Sequence, residues 1–526
     1  MVGSARDISA NASFVFGCGK FIETFAGQQR PVYLTALQNY RMKLKHLLSA
    51  MLFAVAACCI HAAESPAKPN IILIIADDLG YEDSTPYGCK GVHTPNLDQI
   101  AKDGMKFTRA FNTCSSCSPS RSSIITGRYP HNTGAEWLHL PLPKGQVTFV
   151  EKLKAAGYWT AQSGKWHLGS AVEDRFDLVR KDRMEKGVKN DDSGCQGWVP
   201  TLQQRPKDKP FFCWFASHDP HRPYFPNTLA VPHTPEETEV PPYLPDVPPT
   251  RKDLAMYYDE IGRLDIYVGK VMEELKRENA LDNTVILFIT DNGRPFPRCK
   301  TSVYDSGIQS PLLVQWPGKI KAGTVCDSFI SSIDLAPTIL ELAGLSAGKT
   351  FQGKSFKTLL SAPEKTIRDR VFAEHNWHDY TAYERSVRTA QFKYIHNFWN
   401  ELPATPPADA VASITFQEMR RLRDAGKLDT NQMACFVCPR PVEELYDVTT
   451  DPQELKNLAG DPKYADTLKQ LRGQLDEWRK ETKDFVPSPR PADSFSRETG
   501  KLLPDFHTGP PARHVLNDEA VRALAK

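Results

Sequence analysis

Five short stretches carry side chains whose types and spacing could do chemistry. They are Asp77-Asp78, the run FNTCSSCSPSRSSIITGRYP at 111–130, Lys165-Trp166-His167, His218-Asp219-Pro220-His221-Arg222 and Asp291-Asn292-Gly293. In the second stretch Cys114 and Cys117 stand two residues apart, followed by Arg121 and the pair Thr126-Gly127. That spacing suits a metal clip, a disulfide or a nucleophile with its neighbour, and spacing alone does not separate them. Asp77, Asp78, Asp291 and Asn292 offer only oxygen, a hard donor set that favours Ca²⁺ or Mg²⁺ over zinc. Two adjacent aspartates repel each other unless a cation lies between them.

The elements that must position these groups are legible as apolar runs of strand length. NIILIIA (70–76), YWTAQSG (158–164), FFCWFAS (211–217), TVILFIT (284–290) and PLLVQW (311–316) have the continuous hydrophobicity of strands buried on both faces. Between them, Met256, Leu264, Val268, Val271 and Leu275 recur at helical spacing in the segment 253–279. Strands alternating with helices predict an α/β sandwich. Ligands in open α/β sheets bind beyond the carboxyl ends of the strands. Four of the polar clusters directly follow such runs. A single Asp there is ordinarily a cap or turn former, but four clusters at four strand ends point to one shared site.

The proline-dense stretch 218–250 reads as an irregular surface loop. After about residue 383 the character changes. RSVRTAQFKYIHNF and VEELYDV read as strands of a smaller antiparallel sheet, and 461–482 as an amphipathic helix using Tyr464, Leu468, Leu471, Leu475 and Trp478. The expected organisation is a catalytic domain at 66–382, a smaller α+β domain at 383–485 and a polar tail at 486–526.

With 526 residues, 40% hydrophobic and 24% charged, the composition is that of a globular protein. A net charge of +2 gives no global attraction to nucleic acid, so an anionic substrate needs a local cationic pocket. From Met42 the chain has a basic start (Lys43, Lys45), an apolar run and then small residues, the pattern of a secretory signal over 42–63 and too short for a transmembrane span. Residues 1–41 then read as a mis-called start. The expected location is periplasmic or secreted. Val55-Ala56-Ala57-Cys58 also has the form of a lipoprotein cleavage box, which would anchor the chain at Cys58. Export permits disulfides, yet nine cysteines follow the signal, an odd number. Cys435 and Cys438 have metal-clip spacing with no second Cys or His pair to complete a zinc site, which leaves a local disulfide or two plain thiols.

The run Cys117-Ser118-Pro119-Ser120-Arg121 with Thr126-Gly127 resembles the C-x-P-S-R-x-x-x-x-T-G signature of the type I sulfatases. ADDLG (76–80), GKWHLG (164–169), HDPH, DNG, Lys300 and the later segment ELYDVTTDPQELKNLA (444–459) are similar to the same family. Within it, SSCSPSR, HDPHR and DNGRPFP resemble the sulfamidase-like members, which remove N-linked sulfate from glucosamine.

The resemblance implies an alkaline-phosphatase-like α/β sandwich with a large mixed sheet and a smaller C-terminal antiparallel α+β domain. It implies that Cys117 is converted to formylglycine by a maturation enzyme, and that one hydroxyl of the hydrated aldehyde attacks sulfur while the other later expels sulfate. It implies one Ca²⁺ held by Asp77, Asp78, Asp291, Asn292 and modified Cys117. Arg121, Lys165 and Lys300 would hold formylglycine and sulfate oxygens. His167 would be the base for the second hydroxyl and His218 the acid for the leaving group. Lys300 comes from the resemblance alone. It falls where the sulfamidases have arginine and many O-sulfatases have lysine, so N- and O-sulfated sugars both remain open as substrates. His221, Arg222, His375 and His378 are the candidate substrate contacts, and a homo-oligomer is left open. A phosphatase of the same superfamily would place Ser or Thr at position 117 and add histidine metal ligands. A glycan-binding protein without activity would keep Cys117 as a thiol.

Overall fold

The computed structural model describes Met42 and residues 68–181, 191–226 and 228–504. The expected mis-called start, the signal segment apart from Met42, Cys58 and the tail beyond 504 lie outside the described residues. Among those described, no helix is long and apolar enough to cross a membrane.

Eight strands form the main sheet: β1 (Asn70–Ala76), β2 (Met105–Phe107), β3 (Trp159–Gly164), β4 (Leu178–Arg180), β5 (Phe211–Ala216), β6 (Thr284–Thr290), β7 (Leu312–Gln315) and β8 (Thr324–Cys326). Their order is β4-β3-β5-β1-β6-β7-β2-β8. The pairings from β4 to β6 are parallel, while β7 runs antiparallel to both β6 and β2, so the sheet is mixed. The unbroken hydrophobicity of β1 has a simple cause. Ile71, Leu73 and Ile75 enter the core on one face, and Ile72, Ile74 and Ala76 the core on the other.

On one face lies the long helix α2 (Pro248–Arg277); helix α1 (Cys117–Thr126), which begins at Cys117, precedes it in the chain. Helix α2 begins five residues before the expected 253, because Pro248 and Pro249 sit in its first turn, where no N–H is required. Its buried stripe includes Leu254, Tyr257, Ile261, Leu264, Val268, Val271 and Leu275, while Met256 is only half-buried.

The second sheet is antiparallel, in the order β9 (Arg370–Trp377), β10 (Thr381–Thr389), β11 (Phe392–Asn397) and β12 (Glu443–Asp447). The expected boundary at 383 therefore falls inside β10, and the smaller sheet starts at Arg370. RVFA at its start reads as a strand in the sequence, and the strand runs on through Glu374, His375, Asn376 and Trp377, where polar residues enter the pattern. Between β11 and β12 the chain forms two short helices, α3 (Ala408–Val411) and α4 (Ile414–Asp424). Helix α5 (Ala465–Glu481) packs Leu471, Leu475 and Trp478 against the second sheet, with Tyr464 and Leu468 at the margin. The described part of the tail drapes back over this sheet: Trp377 Nε1 donates to Ala492 O at 2.9 Å and the Thr381 N–H to Asp493 Oδ1 at 2.7 Å. Cys435 and Cys438 are free thiols, one buried and one exposed.

Candidate active site

Strand register assembles the site. Gly164 of β3 pairs with Ala216 of β5, Ile75 of β1 also pairs with Ala216, and Ala76 pairs with Thr290 of β6. The first residues beyond these four ends are therefore neighbours. Bonds past the last pairs keep them in line: Lys165 N–H to Ala216 O at 2.9 Å, Ser217 N–H to Ile75 O at 2.9 Å and Asp291 N–H to Ala76 O at 3.2 Å. Gly164 has φ +93°, and a Cβ there would lie 1.9 Å from Ala216 O. Glycine is what lets β3 release Lys165 so close to β5.

Cys117, the expected nucleophile, arrives on α1. Ser116 is extended, and Cys117 is the first residue of a helix whose every residue is buried. The positive end of the helix dipole therefore lies at Cys117. Cys117 and Arg121 are four apart and share a face. The Thr-Gly pair that closes the motif is the helix end: Thr126 Oγ1 donates to Ser122 O, and Gly127 adopts the left-handed conformation at φ +60°. A Cβ on Gly127 would sit 2.6 Å from the Phe351 ring. The segment leading into α1 is held by the second sheet, since Cys114 bridges Glu374 and the Glu374 N–H donates to Thr113 O at 2.8 Å. Cys117 itself packs with Trp137, Leu138 and Trp377 and is 1% exposed.

Around Cys117 three carboxylates and three cations interlock. Cys117 Sγ is 3.8 Å from Asp78 Oδ1. Arg121 donates from Nε to Asp291 Oδ2 at 2.8 Å, and its other arm lies 2.7 Å from the same oxygen and 3.7 Å from Asp77 Oδ1. Lys165 Nζ contacts Asp77 Oδ2, and Lys300 Nζ contacts Asp78 Oδ2 at 2.8 Å. Burial pushes the Asp77 carboxyl up, but Lys165, His221, Arg121 and Lys300 together hold it well below the usual range. Asp291 is pushed up to about 7 by burial, with Arg121 opposing and Asp77 adding to the rise. Burial would lower the Lys300 ammonium, but Asp78 and its neighbours hold it well above its ordinary value. The Cys117 thiol is driven up by burial and by Asp77, against the pull of Lys165 and Lys300.

This donor set fits a hard cation. Asp77, Asp78 and Asp291 each present an oxygen within 4.8 Å of the others, all three fully buried. Asn292 Nδ2 donates to Asp78 Oδ1 at 2.7 Å and to Gly293 O at 2.9 Å, which leaves Asn292 Oδ1 buried without a hydrogen-bond partner, as is Asp77 Oδ1. Two orphaned buried oxygens among three carboxylates are costly unless a cation meets them.

The histidines and the remaining candidates sort differently. His167 has φ +56°, and its Nε2 is 2.7 Å from His139 Nδ1. Burial and then Lys165 depress its pKa well below the ordinary value. His218 lies beyond β5, its N–H donating to Ser193 O at 2.7 Å and its carbonyl accepting from His221 N–H at 2.9 Å. The loop is anchored by Asp219, whose carboxylate pairs with Arg263 and whose carbonyl accepts from the Asp77 N–H at 3.0 Å. His221 stands at the carboxylates, Nε2 3.9 Å from Asp78 Oδ2 and 3.8 Å from Asp409 Oδ2. Its Nδ1 is bonded to Arg222 O, which fixes the ring. His378 Nδ1 pairs with Asp379 at 3.0 Å.

Two of the expected substrate contacts have partners of their own in the fold. The Arg222 guanidinium is committed to Asp253, both arms at 2.8 Å, and to Pro295 O at 3.1 Å, between the Tyr224 and Phe296 rings. His375 lies inside β9 opposite Glu384, and its charged surroundings are His378, Arg440, Arg385 and Arg497 instead of the lysines of the pocket. Asp379, Asp409 and His139 were not singled out in the sequence. They follow no apolar run and belong to no motif, and only the folded chain brings them here.

Two family models match the chain: Sulfatase over residues 69–345, and N-sulphoglucosamine sulphohydrolase, C-terminal, over 299–405. Human N-sulphoglucosamine sulphohydrolase is 33% identical over 480 residues, covering 82% of this chain and 94% of the relative. An ulvan-active sulfatase of Formosa agariphila is 31% identical over 462 residues, covering 78% and 75%. Human arylsulfatase A is 30% identical over 490 residues, covering 78% and 88%. Among solved structures, a complex with its substrate D-glucosamine-2-N,6-O-disulfate has a TM-score of 0.59 at 22% identity, covering 81% of this chain and 100% of the other. A 2-O GAG sulfatase has a TM-score of 0.61 at 23% identity, covering 85% and 100%. These two structures speak for the fold, the alkaline-phosphatase-like sandwich with its added antiparallel sheet. The chain belongs to the sulfatase family and is a hydrolase of sulfuric esters, with the C-terminal region of the N-sulphoglucosamine sulphohydrolases.

Proposed function

We propose that the protein is an exported, formylglycine-dependent sulfatase that removes sulfate from a sulfated sugar, with the N-sulfate of a terminal glucosamine as preferred substrate. The observation that carries this reading is the placement of Cys117, at the N-terminus of a buried helix and facing three carboxylates interleaved with Arg121, Lys165 and Lys300. The relatives with N-sulphoglucosamine sulphohydrolase in their names support the choice of sugar.

Ca²⁺ bound by Asp77, Asp78, Asp291 and Asn292 would supply Lewis acidity at the sulfate oxygens, and matured Cys117 a nucleophilic aldehyde hydrate. The chain's own groups do the rest. Lys165 and Lys300 bring positive charge to the sulfate as charge develops on its oxygens. Arg121 orients Asp291 and Asp77. His167 carries a buried Nδ1 without a partner and lies within the field of Lys165 and Asp77, a placement suited to taking a proton. His218 and His221 share the loop beyond β5, and in this reading they serve the leaving group. His221 comes closer to the carboxylates than the sequence suggested, so the acid role assigned to His218 is shared with it in this proposal. Acid–base help of this kind contributes roughly 10²–10⁴ in rate.

One residue favours a second reading. Lys300 is an ammonium where the sulfamidases resembled here carry a guanidinium, and a point charge recognises an oxyanion without the paired geometry of arginine. An O-sulfatase acting on another sulfated glycan is therefore the alternative. The experiment is sulfate release by matured protein from glucosamine carrying N-, 3-O- or 6-O-sulfate and from a 2-O-sulfated uronic acid disaccharide. The highest kcat/KM is expected for the N-sulfate. A preference for any O-sulfate selects the alternative, and no release from any sugar overturns both.

A further inference from the structure

A carboxylate outside every motif faces the pocket. Asp409 lies on α3, beyond the residues matched by either family model. Its Oδ1 accepts the Ala410 N–H at 2.7 Å, which fixes the side chain, and its Oδ2 lies 3.8 Å from His221 Nε2. The start of α3 is fixed in turn by Asp379, whose Oδ2 accepts the Ala408 N–H at 2.8 Å and pairs with His378 Nδ1 at 3.0 Å. Asp379 and Asp409 thus form one acidic edge carried by two elements, within the electrostatic reach of Lys300. The decisive contrast is access. Asp77, Asp78 and Asp291 are sealed at 0% exposure, whereas 31% of the Asp409 side chain is open. Of the two carboxylates within 4 Å of His221 Nε2 among the described residues, Asp78 and Asp409, only Asp409 is open to solvent.

We infer that Asp409 selects the sugar, accepting hydrogen bonds from hydroxyl or ammonium groups on the ring that bears the scissile sulfate and repelling a second anionic substituent beside it. The inference rests on the sulfated-sugar function proposed above. The chemistry is a division of labour within one pocket. Lys165 and Lys300 meet the sulfate, and Asp409, backed by Asp379, meets what surrounds it. A hydrogen bond to an ionised acceptor contributes the equivalent of about 10- to 100-fold in binding or rate. A second sulfate facing the same carboxylate loses that contact and adds like-charge repulsion in a poorly solvated site.

The test compares kcat/KM for N-sulfoglucosamine with that for glucosamine carrying both N- and 6-O-sulfate, in wild-type protein and in Asp409→Asn. The amide keeps an acceptor for the Ala410 N–H but loses the charge. Wild-type protein is expected to prefer the monosulfated sugar, and Asp409→Asn to reduce that preference by about tenfold or more, with loss on the monosulfated and gain on the disulfated sugar. Should the amide variant not fold, Asp409→Ser carries the same ratio measurement. An unchanged ratio with retained turnover overturns the role of Asp409 and leaves the sulfatase function standing. Loss of turnover on both sugars by a variant with wild-type thermal unfolding also overturns it, because selection would then not be the residue's task. Absence of turnover on any sulfated sugar by wild-type protein overturns the function and this inference together.

Discussion

At the scale of single residues, the chemistry depends on Cys117 being presented without freedom. It sits at the first position of α1, packed by Trp137, Leu138 and Trp377, with its sulfur 3.8 Å from Asp78. Cys117→Ala removes one atom from a small apolar contact and leaves the carboxylates and cations in place. Sulfate release should fall to background while the thermal midpoint moves by only a few degrees, the shift that about 1 kcal/mol produces. Turnover retained by the folded alanine variant would place the nucleophile elsewhere. Much of this level was legible from sequence. Asp77, Asp78, Asp291, Asn292, Cys117, Arg121 and Lys165 converge because strand ends and a helix start are local features that leave local marks. Lys300 carried no such mark, standing in an irregular loop, and only the family resemblance singled it out. The pairing of Arg222 carried no local mark either, since its partner, Asp253, is remote in sequence and lies on α2.

At the scale of elements, alignment of four strand ends is what turns scattered polar residues into a pocket. Gly164 is the tightest point of that alignment. Gly164→Ala would force a Cβ to 1.9 Å from Ala216 O at a positive φ, so β3 and β5 must separate where Lys165 leaves the sheet. A loss of about 3 kcal/mol or more in urea unfolding is expected, together with reduced sulfate release, because Lys165 would be displaced from Asp77. An alanine variant of wild-type stability and activity would show that the close approach of these strands is dispensable. The apolar runs announced β1, β3, β5 and β6 because both faces of each are buried. Of β9 only the start, RVFA, reads as a strand, because its second half, EHNW, mixes charge with apolar residues. Strand β9 uses those polar groups: Glu374 receives the His131 N–H at 2.8 Å, and Asn376 Nδ2 donates to Glu136 O at 3.4 Å.

At the scale of the molecule, the second sheet buttresses the segment that leads into α1. Its own integrity rests partly on Asp484, just beyond α5, which receives both arms of Arg385 at 2.8 and 3.0 Å. Burial pushes the Asp484 carboxyl up, but Arg385 overrides it and holds the group well below the usual range. A depressed native pKa stabilises the fold fully above the unfolded value of about 3.9, and the benefit is lost as pH falls from there towards the native value. Asp484→Asn should therefore destabilise the protein at pH 7, by about 3 kcal/mol, since Arg385 remains buried with its charge uncompensated. The gap to wild type in urea unfolding should narrow at pH 3; a constant gap at both pH values would rule out ionisation as its source. The packing of this sheet onto the main one was not legible in the sequence. It depends on pairings such as Cys114 with Glu374, between residues far apart in the chain.

The central claim is that a gene-encoded cysteine becomes the nucleophile of a sulfatase. Trypsin releases Ala110–Arg121, a peptide that contains both Cys114 and Cys117. Protein produced with a formylglycine-generating system and active in sulfate release is alkylated, digested and analysed by tandem mass spectrometry. The expected peptide carries an alkylated thiol at Cys114 and an aldehyde at Cys117. Full sulfate release by protein whose Cys117 is still an alkylatable thiol would contradict the account.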